Sequence, residues 1–102
     1  MKSMSGKSER DAEIRKIKWR IWALRQDNLR LSEDINTSIA REDNARRDAL
    51  IMRSRFPGTP DFDPAPWEKF RAYMRQQIAE TEAEIAGLLA QLEELEKGGA
   101  DA

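Results

Sequence analysis

The sequence predicts an all-α protein built as a long antiparallel helical hairpin of coiled-coil type. Three observations predict it. Charged residues make up 36% of the 102 positions and hydrophobic ones 39%, a mixture typical of long helices. Apolar residues recur at alternating spacings of three and four over two long stretches. One cluster of helix breakers, "FPGTPDFDPAP" at residues 56–66, separates those stretches.

The polar start, "MKSMSGKSER", has no apolar core and is expected to be flexible over residues 1–8. Helix one is expected from about Ser8 to Arg55. Ser8 with Asp11 forms a weak capping box at its start. Its seam runs Ile14, Ile17, Ile21, Leu24, Asn28, Leu31, Ile35, then degrades to Ser38, Glu42, Ala45 and Ala49. Asn36, Thr37 and Ser38 are weak helix formers, so a kink or break at 36–38, giving three helices, is the alternative arrangement.

The turn spans residues 56–63. Asp63 caps helix two, with Pro64 at the first helical position and Phe62 and Trp67 placed as a hydrophobic staple. Helix two covers 64–97 with a seam of Met74, Ile78, Thr81, Ile85, Leu88, Leu92 and Leu95, extended toward the turn by Phe70 and Trp67. Gly98 and Gly99 then end it, leaving a flexible tail at 98–102. The whole chain reads as a single helical domain, residues 1–102.

Composition excludes much chemistry. There is no cysteine and no histidine, so the commonest metal ligands, the thiolate nucleophile and the commonest general base are all missing. Asp61 and Asp63 lack the ligand series of a calcium loop and read as capping residues. Glu80, Glu82 and Glu84 diverge around a helix and read as solvated. A two-helix rod offers little concavity in which a carboxylate could be tuned for catalysis. We therefore expect no enzyme activity, no cofactor, no bound metal and no small-molecule ligand. No apolar run reaches the roughly 20 residues that span a bilayer, and the expected address is the cytoplasm.

Charge and aromatic placement point to partners. Residues 1–55 carry 14 Lys/Arg against 9 Asp/Glu, while residues 56–102 carry 4 against 10, so the halves should pack on each other or on copies of each other. With paired helices starting from the turn, Lys97 would reach about Gln26. Residues 8 to about 25 would then overhang by roughly 20 Å, leaving on the order of 10 kcal/mol of apolar burial without cover. Glu93, Glu94 and Glu96 sit unfavourably at the C-terminal end of helix two, where nearby cations would relieve them.

The expected oligomer or partner interface is therefore Ile14, Ile17, Trp19, Ile21, Trp22, Leu24, Asn28 and Leu31, with the two tryptophans off the seam and Leu29 extending their stripe. A buried Asn28 at a seam position reads either as a register-fixing residue paired with its own copy or as one facing the frayed end of helix two. The function expected is a non-catalytic, oligomeric coiled-coil scaffold, adaptor or assembly factor working through protein contacts. Arg15, Lys16, Lys18, Arg20, Arg25 and Arg30 around the indoles carry the alternative of a nucleic-acid-binding oligomer, although Asp27, Glu33 and Asp34 interrupt the run. A small inhibitor or chaperone covering another protein's groove is the second alternative. Membrane binding is not expected, because the apolar residues spread around the helix. In shape alone, a small hairpin with a basic leading helix resembles the oligomerisation part of phage DNA-packaging adaptors. That resemblance covers no motif.

Overall fold

The computed structural model describes the backbone of residues 2–100 and the side chains of residues 8–98. The protein is all-α, with two long helices packed antiparallel as a hairpin. Helix α1 runs Lys2–Arg55 and α2 runs Ala65–Ala100.

Both helices outrun the expected limits. The flexible start expected at 1–8 is helical from Lys2 onward, so Ser8 lies inside α1 and is not its cap. No proline interrupts these residues, and every N–H can stay in the ladder. At the far end α2 continues through Gly98 and Gly99, because glycine weakens a helix by about 1 kcal/mol without removing a donor. The expectations for Met1 and for residues 101–102 lie outside the described residues. The expected break at 36–38 does not occur, and α1 is uninterrupted there.

The α1 seam follows the predicted heptads. Positions 14, 17, 21, 24, 28, 31, 35, 38, 42, 45 and 49 are all buried or half-buried. On α2 the stripe is 67, 71, 74, 78, 81, 85, 88, 92 and 95. Arg71, rather than Phe70, therefore occupies the seam near the turn. Phe70 falls one position off the 4–3 rhythm and is exposed, as is Tyr73.

The chain divides into two compact units. One joins residues up to Asn28 with those from Ala79 onward, and the other is Leu29–Ile78. In the first, Ile17, Ile21, Leu24 and Ile85 form a buried cluster, with Leu88, Leu92 and Leu95 packed against it. Lys18 Nζ lies 3.7 Å from a Glu96 carboxylate oxygen, and Arg20 Nη2 lies 3.2 Å from one of Glu84. The expected overhang over residues 8–25 is thereby corrected. Glu96 reaches Lys18, not the region near Gln26, so α2 runs roughly two and a half turns further along α1.

In the second unit the turn has its own contacts. Arg53 ion-pairs with Asp61, and the Arg46 guanidinium sits 5.0 Å above the Phe62 ring. The breaker segment thus folds back along the last turns of α1. Extended chain advances about 3.3 Å per residue against 1.5 Å in a helix, so a few loop residues retrace more than two turns. Gly58 supports the reversal with φ +101°, and Thr59 donates to the Phe56 carbonyl through both N–H and hydroxyl. Asp63 caps α2 as expected, its carboxylate accepting the Ala65 N–H at 3.0 Å.

The second unit buries polar groups where the first buries aliphatics. Ser38 and Glu42 are both buried in the seam. Arg71 reaches across from α2, donating to the Ser38 hydroxyl at 3.3 Å and ion-pairing with Glu42. Arg46 reaches the same Glu42 carboxylate at 3.2 Å from the rim.

Candidate functional site

In the first unit the exposed surface is organised around the tryptophans. Trp19 and Trp22, three residues apart on a helix, share one face, and their rings stack at 5.0 Å with an interplanar angle of 20°. Stacking hides little of them, since Trp19 is 67% and Trp22 52% exposed. Trp22 also lines a shallow groove of about 260 Å³ floored by Ile21 and Leu92, with exposed Leu89 opposite and Lys18 and Arg25 at its edge. Covering the exposed indole area, roughly 300 Å², is on the order of 7 kcal/mol of gross apolar burial.

The other predicted interface residues do not belong to this surface. Ile17, Ile21 and Leu24 are about 5% exposed or less because α2 covers them, and Ile14, Asn28 and Leu31 are half-buried along the same seam. Within one chain α2 covers this seam, in place of the uncovered stretch expected at residues 8–25. Asn28 lies on the seam within the first unit, so it does not face a frayed end of α2, and its Oδ1 is buried with no hydrogen-bond partner.

The cations divide as well. Lys18 and Arg20 pair with Glu96 and Glu84 on α2, which places the basic half on the acidic half within one chain. Arg15, Lys16, Arg25 and Arg30 are exposed and make no ion pair among the described residues.

In the second unit a groove of about 580 Å³ lies between Asp34, Thr37 and Arg41 on α1 and Pro66, Trp67 and Phe70 on α2. Near the turn, Leu50, Ile51, Met52 and Phe56 are exposed together. Sequence reasoning missed this last set, yet the signal was present. Three consecutive apolar residues in a helix cannot all face one seam. Phe70, expected on the seam, lies instead on the outside of the hairpin, as does Tyr73.

Among the described residues no cluster of acids is arranged to hold a metal ion, and no helix is long and apolar enough to cross a membrane. What the surface offers is apolar contact area. A hairpin with many exposed hydrophobics is the form of a partner-binding or self-associating protein. No family model, curated protein or solved structure matches the chain.

Proposed function

We propose that the chain is a non-catalytic scaffold or adaptor that self-associates and acts through protein contacts. The observation that carries this reading is the stacked, exposed pair Trp19–Trp22 beside Leu89. Large aromatics presented on a rigid helix supply contact area with little entropy left to lose, as in interface hot spots. The ion pairs of Lys18 and Arg20 favour this reading over nucleic-acid binding, because they commit two of the nearby cations to the hairpin's own carboxylates.

Light scattering on the purified chain is the test. A mass at least twice the 11.8 kDa of one chain is expected. Changing both tryptophans to Ala should either lower that mass or leave it unchanged while raising solubility. The first result makes them contacts between copies, and the second assigns them to a different protein. A chain that is monomeric at every concentration overturns self-association. Tight DNA or RNA binding that falls steeply with salt would favour the nucleic-acid reading instead.

A further inference from the structure

In the first unit the two cross-helix ion pairs lie on opposite sides of the seam. Lys18–Glu96 is on the side of the groove that Trp22 and Leu89 share, and Arg20–Glu84 is on the other. Among the described residues of this unit the exposed large hydrophobics are Trp22 and Leu89, on the groove side, and Trp19, which stacks on Trp22. Helical spacing gives the rest of that side. Beside the seam of Ile14, Ile17, Ile21 and Leu24, α1 contributes Ser8, Asp11, Arg15, Lys18, Trp22 and Arg25. Beside Ile85, Leu88, Leu92 and Leu95, α2 contributes Ala79, Glu82, Ala86, Leu89, Glu93 and Glu96. All of them are exposed. The α1 strip thus holds Arg15, Lys18 and Arg25 against one acid, Asp11, while the charges of the α2 strip are all carboxylates.

We propose that a second copy of this chain docks on this face, about a two-fold axis parallel to the helices, so that the two first units together form a four-helix bundle. Such an axis keeps every residue at its own height and lays α1 of each copy on α2 of the other. Within one chain Lys18 meets Glu96 and Trp22 shares its groove with Leu89, which fixes the heights to within a turn. Arg15 and Lys18 therefore come onto the partner's Glu93 and the partner's Glu96. Trp22 comes onto the partner's Leu89, and Arg25 comes beside the partner's Ala86, one turn from the partner's Glu82. Asp11 falls a turn beyond Arg15, toward the Lys97 end of α2. The apolar centre is covered, opposite signs meet around it, and the two-fold makes each contact twice.

An axis running across the helices would instead lay the basic strip on itself and the acidic strip on itself. The other side of the seam, around Arg20 and Glu84, offers no exposed large hydrophobic among the described residues. Three carboxylates on the groove side would repel phosphate, so the face suits a second copy better than a nucleic acid. This dimer rests on the self-association proposed above and has the same indole, Trp22, at its centre.

Charge reversal on the full chain tests it. Arg15→Glu sets a carboxylate on the partner's Glu93 and the partner's Glu96, and Glu93→Arg sets a guanidinium on the partner's Arg15 and the partner's Lys18. Each change alone should weaken the dimer about tenfold, since two exposed contacts turn from attraction to repulsion, and shift the scattering mass toward monomer. Mixed in equal amounts, the two variants should form a heterodimer, detectable by native mass spectrometry. The new carboxylate then meets the new guanidinium, while native Arg15 meets native Glu93. Trp22→Ala should lower the mass as well, because it uncovers the partner's Leu89. Both charge positions are exposed, and an unchanged helical circular dichroism signal confirms that each variant folds. Single variants that keep the parent mass, or a mixture no more associated than either alone, overturn the proposal. A dimer that loses mass with Trp22→Ala yet ignores both charge changes keeps self-association and overturns this geometry. A parent chain that is monomeric at every concentration removes self-association, and this dimer with it.

Discussion

Arg71 on α2 is ion-paired with Glu42 on α1 inside the seam, where their side chains are only 12% and 11% exposed. The two partners are not equivalent. Glu42 also holds Arg46, while Arg71 has Glu42 and the Ser38 hydroxyl as its polar partners among the described residues.

That asymmetry predicts unequal costs. Glu42→Leu leaves a buried guanidinium without its carboxylate and should destabilise the fold by about 3–5 kcal/mol. Arg71→Met leaves Glu42 with Arg46 and should cost less. The double variant Glu42→Leu/Arg71→Met should recover most of the loss, since apolar replacement of a buried pair is close to neutral. Urea denaturation of the three variants measures this. Equal loss from both single changes would show that Arg46 gives Glu42 no support.

The register itself has a simple test. Ile21 is covered by α2, so Ile21→Ala should cost about 2–5 kcal/mol of stability. Trp19→Ala removes a larger but exposed side chain and should cost well under that in a monomer. If α1 overhung through residue 25, Ile21→Ala would be nearly silent in denaturant midpoint.

Asn28 places an amide oxygen in the seam without a donor. Replacing it with Leu should raise stability by about 1 kcal/mol, because the unmet hydrogen bond disappears and apolar area is gained. A lowered thermal midpoint would mean that the oxygen is satisfied in solution.

Gly58 in the turn and Gly87 in α2 should respond in opposite directions. Gly87 lies within α2 with open space where a Cβ would stand, so Gly87→Ala should stabilise by about 0.5–1 kcal/mol. Gly58 has φ +101°, and Gly58→Ala should destabilise by about 1–2 kcal/mol. Thermal melts of the pair decide both signs.

Much of the architecture was legible from residue order. The breaker run at 56–66 places the turn, the 4–3 rhythm from Ile14 to Ala49 marks the buried face, and Asp63 before Pro64 marks the start of α2. These are local properties, decided by backbone donors, side-chain spacing and proline geometry. The exposed tryptophans were equally legible, since Trp19 and Trp22 fall off the rhythm of their neighbours.

What heptads alone could not decide was how far α2 slides along α1. Every shift of seven residues presents nearly the same apolar stripe, so periodicity leaves the register degenerate. Tertiary contacts break that degeneracy. Arg53 holds Asp61 and Arg46 covers Phe62, folding the loop back along α1, while Arg71 meets Ser38 and Glu42 in the seam. Sequence by itself determined two helices, their inward faces and the indoles left outside. Only the folded chain decided that Ile17, Ile21 and Leu24 lie under α2, because contact with Ile85 and Leu88 depends on residues far apart in the chain meeting in space.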